Sequence, residues 1–236
     1  MTSGSAVPLR PGTDPRLRAE PIPAPLRVAQ NGPVPIQAVI FDIGGVLEVN
    51  PRTGWARQWA TRLKMDAAEF ERRLDAIWSP GSIGAAGLEA IERQTAAAFG
   101  LDEAVLQALM SDAWSEYVGS LNRDLTAYFT GLRPRYKTGI LSNSFVGARE
   151  REQAAYGFED ICDALVYSHE EGCLKPDPRI YRTVCDRLEV APEAAVFLDD
   201  VQTNVEGARA VGMAAVRFSS NARAIAELEA LLTGSR

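Results

Sequence analysis

Apolar and polar positions follow three different rhythms along the chain. Residues 1–35 show no apolar periodicity and contain eight prolines, which predicts a disordered or polyproline-like leader. An apolar run near Ile36–Phe41 predicts a buried strand. Between Pro51 and Ser120 the apolar positions recur at helical spacing, and the turn residues of Ser79–Ser82 interrupt them. This block is therefore predicted to be a small all-helical unit.

From Asn122 onward the pattern predicts alternating helices and strands. The predicted helices are Leu125–Leu132, Gly147–Tyr156, Pro178–Leu188, Val205–Val211 and Ala222–Leu232, and the predicted strands are Thr138–Ser142, Asp163–Tyr167, Ala195–Leu198 and Ala214–Arg217. Such alternation is typical of a parallel sheet covered by helices on both faces. We predict an α/β fold with a Rossmann-like three-layer core of residues 36–50 and 121–236. A helical cap of residues 51–120 is inserted after the first strand.

Composition narrows the classes of partner. The 236 residues are 46% hydrophobic and 24% charged, as expected for a globular protein, and the formal charge of −6 argues against nucleic acid as a partner. No segment reads as a signal peptide or a membrane span, so no membrane partner is predicted. The three cysteines are scattered and match neither a disulfide framework nor a zinc site, which favours a cytoplasmic location. The sequence makes no prediction of oligomeric state.

Chemically useful side chains stand at the ends of the predicted strands. Asp42 follows the first strand, Ser142 ends the second strand of the core, and the pair Asp199–Asp200 follows a later one. The carboxyl ends of parallel strands share one edge of a sheet, so three carboxylates would meet there and repel one another. A divalent cation such as Mg²⁺ and the ammonium of Lys175, in a turn-rich segment before a helix, would relieve that repulsion.

These residues and their order resemble the haloacid dehalogenase-like hydrolase superfamily, over roughly residues 36–220. The matching motifs are Phe41–Leu47, Leu141–Asn143, Ser168–Tyr181 and Val196–Asp200, followed by Asn204, Glu206, Gly207, Ala208 and Gly212. The resemblance implies a hydrolase, most members being phosphatases, in which the helical insertion is a mobile cap over the active site.

The resemblance also implies the following site residues. Asp42 would be the nucleophile that forms an aspartyl-phosphate, and its other oxygen would bind Mg²⁺ together with the backbone carbonyl of Gly44. Asp200 would be the direct acidic metal ligand, with Asp199 acting through water or by holding Lys175. Ser142 and Asn143 would cradle the phosphoryl group, and Lys175 would neutralise Asp42 and bind a phosphoryl oxygen. The implied substrate is a small phosphorylated metabolite.

The chain departs from this family pattern at Gly44. Phosphatases of the superfamily usually carry a second Asp there, which protonates the leaving alcohol and then activates water. The loss of a general acid and base costs about 10²–10⁴-fold in rate unless the leaving group needs no proton or another group substitutes. Glu48, His169 and a substrate-bound water are candidate substitutes.

Three functions therefore compete at this stage. The first is a Mg²⁺-dependent phosphomonoesterase. The second is a 2-haloacid dehalogenase, in which halide leaves without a proton, although the paired acids Asp199–Asp200 argue against that metal-independent branch. The third is a non-catalytic binding or regulatory protein that keeps the fold. In each case the cap would select the ligand, and Trp55, Trp59, Trp78 and the loop Ser79–Gly84 are candidates for lining its mouth.

Overall fold

The structure is a computed structural model that describes residues 34–234. Its strands are β1 (Ala38–Phe41), β2 (Glu48–Val49), β3 (Ser120–Leu121), β4 (Lys137–Ser142), β5 (Ala164–Tyr167), β6 (Ala195–Asp199) and β7 (Ala214–Arg217). Its helices are α1 (Trp55–Arg62), α2 (Ala67–Trp78), α3 (Leu88–Phe99), α4 (Glu103–Val118), α5 (Arg123–Gly131), α6 (Ala148–Tyr156), α7 (Ser168–Glu171), α8 (Pro178–Arg187), α9 (Gln202–Ala210) and α10 (Asn221–Leu232). Short 3₁₀ turns span Ser79–Ile83, Phe158–Asp160 and Pro192–Ala194. The predicted leader, residues 1–35, lies outside the described residues except for its last two positions.

Five parallel strands form one sheet in the order β5-β4-β1-β6-β7. The central strand β1 is fully buried, and its side chains alternate between the two faces of the sheet. Val39 and Phe41 belong to one hydrophobic core, whereas Ala38 and Ile40 belong to the other. The predicted α/β fold with a parallel sheet between two helical layers is confirmed.

Different helices cover the two faces of the sheet. On the first face, Phe129 of α5 packs its ring 4.8 Å from that of Phe41, and Leu228 of α10 joins the same core. On the second face, Tyr181 and Val184 of α8 pack in the core that contains Ile40. Helix α8 starts as Pro178 predicts, because Asp177 caps it by accepting a hydrogen bond from the Arg179 backbone N–H.

Helices α1 to α4 follow one another between β2 and β3 and enclose a core of their own. That core contains Trp59, Phe70 and Leu109, all of which are buried. The antiparallel pair β2–β3 joins the two chain segments that lead into and out of this helical block. Sequence periodicity did not predict this pair, because two-residue strands are too short to show alternation. The treatment of the block as a separate mobile cap stays a prediction.

Several element boundaries differ from the predicted ones by a few residues. Strand β6 includes Asp199, and α9 begins at Gln202 rather than Val205. The apolar pattern misses this polar first turn, which the Asp199 side chain helps to start by accepting the Val201 backbone N–H at 2.7 Å. Within the described part of the chain, no helix combines the length and the apolar composition that crossing a membrane requires.

Candidate active site

The structure brings the predicted strand-end residues to one edge of the sheet. Strands β4, β1 and β6 are neighbours, and Ser142, Asp42 and Asp199 stand at their carboxyl ends. Lys175 reaches the same place from the loop between α7 and α8. Asp42, Lys175 and Asp199 are 6%, 3% and 0% exposed, respectively. Charged groups this deeply buried require partners, and both carboxylates find theirs in Lys175.

The Lys175 ammonium ties the three groups together. Its Nζ donates to Asp42 Oδ1 and to Asp199 Oδ2, each at 2.7 Å, and to the carbonyl oxygen of Leu141 at 3.0 Å. An ammonium has three donors, so these contacts use all of them. Lys175 therefore fixes the orientation of Asp42 and supplies the positive charge nearest to it.

The loop that carries Lys175 is clamped by Asn143. The side-chain oxygen of Asn143 accepts the Lys175 backbone N–H at 2.7 Å, and its amide nitrogen donates to the Lys175 carbonyl at 3.0 Å. The Asn143 side chain is thus occupied in positioning Lys175. Ser142 is different, because its hydroxyl has no hydrogen-bond partner among residues 34–234 and lines a cavity. Ser142 is free to donate to a ligand.

The two neighbouring acids at the end of β6 have different surroundings. Asp199 accepts hydrogen bonds from Lys175 and the Val201 backbone, and the side-chain amide of Asn204 reaches both its oxygens at 3.2 and 3.1 Å. Asp200 is half-buried, and its carboxylate has no side-chain partner within the described residues. Asp199 is therefore suited to hold Lys175, and Asp200 is suited to bind a cation directly.

Asp42, Asp199 and Asp200 offer a compact set of oxygen ligands. One carboxylate oxygen from each lies within 4.8 Å of the others. Burial raises the pKa of Asp42 to about 8, the Asp199 charge adds to this rise, and the Lys175 ammonium opposes it. Burial and the same Asp199 charge also raise the pKa of Asp200. One lysine supplies too little positive charge to keep three neighbouring acids ionised, so a hard divalent cation such as Mg²⁺ fits this donor set.

Gly45 allows Asp200 to approach the turn after β1. Its φ is +75°, and a Cβ at this position would lie 2.6 Å from Asp200 Oδ2. The Gly45 backbone N–H donates to Asn50 Oδ1 at 3.0 Å, and Asn50 Nδ2 donates to the Tyr117 carbonyl in α4. Asn50 therefore links the turn of the active site to the helical block. The sequence did not single out Asn50, since one polar residue in a loop gives no periodic or motif signal.

Two cavities meet at this edge of the sheet. An outer cavity of about 820 Å³ is lined by Asp42, Gly45 and Asp200, and an inner cavity of about 660 Å³ is lined by Ser142 and residues of the helical block. Gly44, Asn50, Glu116 and Asn143 line both cavities. The inner cavity therefore extends from the strand ends into the helical block.

The structure separates the residues that were expected to line the mouth of the cap. Trp55 and Trp78 line the inner cavity, as do Ser79 and Ser82 from the predicted loop. Trp59 instead lies in the core of the helical block, where its Nε1 donates to Asp112 Oδ2 at 2.8 Å.

The two candidate substitutes for a proton donor also lie in different places. Glu48 lines the inner cavity, and burial, together with the charges of Glu152 and Asp42, raises its pKa to about 10. Glu48 is therefore protonated at neutral pH. His169 lines neither cavity and forms a 2.6 Å hydrogen bond between its Nδ1 and Ser144 Oγ. Of the two side chains, only Glu48 lies where a ligand of the inner cavity could meet it.

Comparison with known proteins agrees with this fold. The family model of haloacid dehalogenase-like hydrolases matches residues 36–212. The chain belongs to the haloacid dehalogenase-like hydrolases. The prediction of a hydrolase of this superfamily is thereby confirmed, and the chain is an enzyme of that class.

The relatives of this haloacid dehalogenase-like hydrolase carry several names. It is 28% identical over 215 residues to acyl-CoA dehydrogenase family member 10 of Mus musculus, covering 88% of this chain and 20% of that protein. It is 40% identical over 81 residues to phosphatase MT3486 of Mycobacterium tuberculosis, and this alignment covers 34% of this chain and 37% of that protein. D-ribitol-5-phosphate phosphatase of Bacteroides thetaiotaomicron is 24% identical over 188 residues, covering 75% and 89%. The alignments with the first and second of these span only a fifth and just over a third of the relative's length.

Solved structures share the fold of this hydrolase. A haloacid dehalogenase family enzyme from Bacteroides thetaiotaomicron, solved with magnesium and inorganic phosphate, superposes with a TM-score of 0.68 at 20% identity, covering 78% of this chain and 94% of that one. L-2-haloacid dehalogenase from Xanthobacter autotrophicus gives a TM-score of 0.53 at 23% identity, covering 85% and 84%. At these identities the likeness concerns the fold alone.

We predict that Gly45→Ala selectively weakens cation binding. The new Cβ would displace Asp200, and the left-handed backbone would cost about 1–2 kcal/mol. Gly54→Ala is the matched control, because Gly54 has a φ of +70° and no neighbouring atom lies within 4 Å of where its Cβ would stand. Both variants should lose similar stability in urea denaturation, but only Gly45→Ala should lose Mg²⁺ affinity in a calorimetric titration. Equal Mg²⁺ affinity in the two variants would contradict the placement of Asp200 in the cation site.

We predict that Glu152→Gln becomes more stabilising as pH rises. Burial raises the pKa of Glu152 from 4.5 to about 7, so between these values the unfolded chain releases a proton that the folded chain keeps. The free energy of unfolding of the wild type therefore falls across this range by up to about 3 kcal/mol, and glutamine, which does not titrate, removes this fall. Urea denaturation at pH 5 and pH 8 measures the difference in free energy of unfolding between Glu152→Gln and the wild type. Glu71→Gln, at an exposed position of α2, should show the same difference from wild type at both pH values.

Proposed function

We propose that this hydrolase is a Mg²⁺-dependent phosphomonoesterase that acts on a small phosphorylated metabolite through an aspartyl-phosphate at Asp42. One observation carries the proposal. Asp42 Oδ1 accepts from Lys175 Nζ and from the Ile43 backbone N–H, whereas its Oδ2 has no hydrogen-bond partner within residues 34–234. One oxygen is thus held in place while the other is free to attack. The phosphatases among the relatives support the same reaction class.

The residues of the chain suit a two-step displacement. The free oxygen of Asp42 attacks phosphorus, and the bond from phosphorus to the leaving oxygen breaks with its electron pair on that oxygen. Water then attacks phosphorus, the bond to Asp42 breaks, and inorganic phosphate and the Asp42 carboxylate are formed. Ser142 Oγ is the free hydroxyl that would donate to a phosphoryl oxygen, and Lys175 keeps Asp42 oriented in both steps.

Mg²⁺ would be held by Asp42, Asp200 and the backbone carbonyl of Gly44, and when bound it would neutralise charge between the carboxylates and the phosphoryl oxygens. Asp199 would act by holding Lys175, since its own oxygens already accept from Lys175, Val201 and Asn204. The cytoplasmic location belongs to this proposal and rests on Cys162, Cys173 and Cys185, none of which forms a disulfide in the structure.

Gly44 determines which leaving groups the enzyme would accept. No acid stands at this position to protonate a departing alcohol, so leaving groups that are stable as anions should react best. Acyl phosphates and p-nitrophenyl phosphate are of this kind. The two alternatives, a 2-haloacid dehalogenase and a non-catalytic binding protein, share the fold, and the first test below separates them from a phosphatase.

The purified protein is expected to hydrolyse p-nitrophenyl phosphate with Mg²⁺ and to stop when a chelator removes the metal. Asp42→Asn should lower turnover by about 10³-fold or more, because the amide is a poor nucleophile. Asp186→Asn, at an exposed acid on α8, serves as the matched control and should retain the wild-type rate. Metal-independent chloride release from 2-chloropropionate would establish the dehalogenase instead. No turnover of either compound would favour the non-catalytic alternative.

Gly44→Asp is expected to restore activity on alkyl phosphates. A Cβ at Gly44 would meet only Asn50 Oδ1, at an ordinary 3.6 Å, so the side chain can be accommodated. An acid there should raise kcat/KM on an alkyl phosphate by about 10²-fold, with little change on p-nitrophenyl phosphate, whose leaving group needs no proton. Gly44→Asn has the same size without the acid and should leave the alkyl phosphate rate unchanged. An equal response to both substitutions would show that the proton comes from elsewhere.

A further inference from the structure

One wall of the inner cavity consists of aromatic rings in mutual contact. Trp55 stacks on Trp78 with ring centroids 5.7 Å apart and planes at 19°, and Trp78 lies 5.4 Å from Phe145. Phe145 lies 5.8 Å from Trp114, which meets Tyr117 edge-on at 5.2 Å. All five rings line the cavity. We call this surface, made of Trp55, Trp78, Phe145, Trp114 and Tyr117, the aromatic wall.

The described side chains that line the same cavity include four acids, of which Glu48 is held in its protonated form, and no base. Glu48, Asp75, Glu116 and Glu152 line it, and no lysine, arginine or histidine does so among the residues that the structure describes. The Arg151 guanidinium lies 3.9 Å from the ring centroid of Trp114 but does not line the cavity. A ligand with a second negative charge would find no counter-charge here.

Two of the buried acids lack hydrogen-bond partners for one oxygen each. Glu48 and Glu152 are 1% and 0% exposed, and the Oε1 atom of each has no partner in the described structure. The other oxygen of Glu152 accepts from the Tyr167 hydroxyl. A buried carboxyl oxygen without a donor costs free energy, so these atoms are places where a ligand that donates hydrogen bonds would be stabilised.

Aromatic faces and carboxylates together favour a cation. Ring faces attract a cationic nitrogen through their quadrupole, and this attraction is strongest at sites that exclude water. We propose that the inner cavity binds the cationic nitrogen of a phosphorylated amine, whose phosphoryl group lies at Asp42. This inference rests on the proposed phosphatase function, because it names the substrate class for the same site. Ser142 and Asn143 line the cavity at its phosphoryl end and so connect the two parts of the ligand.

The test compares two phosphates of the same shape that differ in charge. Choline phosphate carries a quaternary nitrogen, which has a positive charge but no N–H donor, and 3,3-dimethylbutyl phosphate has a carbon atom in its place. This pair therefore tests the contribution of charge alone. Titrating each into the full-length Asp42→Asn protein with Mg²⁺ present, in a calorimeter, measures affinity without turnover. Choline phosphate should bind at least about tenfold more tightly, as expected for a cation against desolvated aromatic rings. Equal affinities, or tighter binding of the neutral compound, would overturn the proposal.

Variants of the acids that line the cavity test whether the preference for choline phosphate arises there. Asp75→Asn and Glu152→Gln, each combined with Asp42→Asn, should shrink the affinity ratio between the two phosphates. Asp75 is exposed, so replacing its side chain does not disturb the packing of the hydrophobic core. Glu71→Gln removes one charge from the same helix outside the cavity and should leave the ratio unchanged. An unchanged ratio in both cavity variants would overturn the proposal.

Turnover separates this inference from the proposed function. If the wild type hydrolyses p-nitrophenyl phosphate, the sugar comparison is made with Gly44→Asp, which supplies the proton that an alkyl leaving group needs. Equal kcat/KM of this variant for glucosamine 6-phosphate and glucose 6-phosphate would overturn the amine preference alone. These two sugars differ by one amino group, and a preference of severalfold for the amine supports the inference. If p-nitrophenyl phosphate is not hydrolysed, the phosphatase proposal fails. The ratio of the calorimetric affinities for choline phosphate and 3,3-dimethylbutyl phosphate still decides whether the cavity selects a cation.

Discussion

The active edge of this hydrolase depends on one buried ammonium held between two carboxylates. Lys175 donates to Asp42 and Asp199 at 2.7 Å each, and the three side chains are almost completely removed from water. Loss of Lys175 would leave two buried carboxylates without a counter-charge, and breaking a buried ion pair in this way costs about 3–5 kcal/mol. Other features serve this triad. Asn143 clamps the lysine loop and Asn204 saturates Asp199, so that the free oxygen of Asp42 and the carboxylate of Asp200 remain for chemistry.

Two neighbouring glycines in the turn after β1 affect the candidate site in different ways. Gly45 gives Asp200 the space to approach, while Gly44 keeps a backbone carbonyl and gives up a side-chain acid. Cation binding and nucleophilic attack would use the Gly44 carbonyl and the carboxylates of Asp42 and Asp200, all of which are present. Protonation of a departing alcohol would need a side-chain acid, which glycine does not have. In the proposed phosphatase, glycine at position 44 would therefore leave the first step of phosphoryl transfer intact and would restrict the leaving groups that can depart.

The helical block gives the site a second, chemically different part. The strand ends are polar and hold the charges that suit a phosphoryl group and a cation. The inner cavity is built from aromatic rings and acids without a basic residue among the described lining. Asn50 connects the two parts, because it accepts from the Gly45 backbone and donates to the Tyr117 carbonyl. A movement of the helical block would therefore shift Asn50 and, through it, the turn that contains Gly44 and Gly45.

The sequence determined the parallel sheet, the identity of the strand-end residues and the departure at Gly44, because apolar periodicity and motif order are local properties of the chain. The resemblance left open whether Asp199 acts through water or holds Lys175, and the structure places Asp199 2.7 Å from the Lys175 ammonium. Only the tertiary structure decided that Trp59 is buried in the helical block while Trp78 lines the cavity, since both stand at helical spacing. Likewise, Glu48 and Glu152 are far apart in the chain, and only their burial in the folded protein raises the pKa of both. Side-chain partners across long sequence separations depend on how the elements pack, and no local pattern records that.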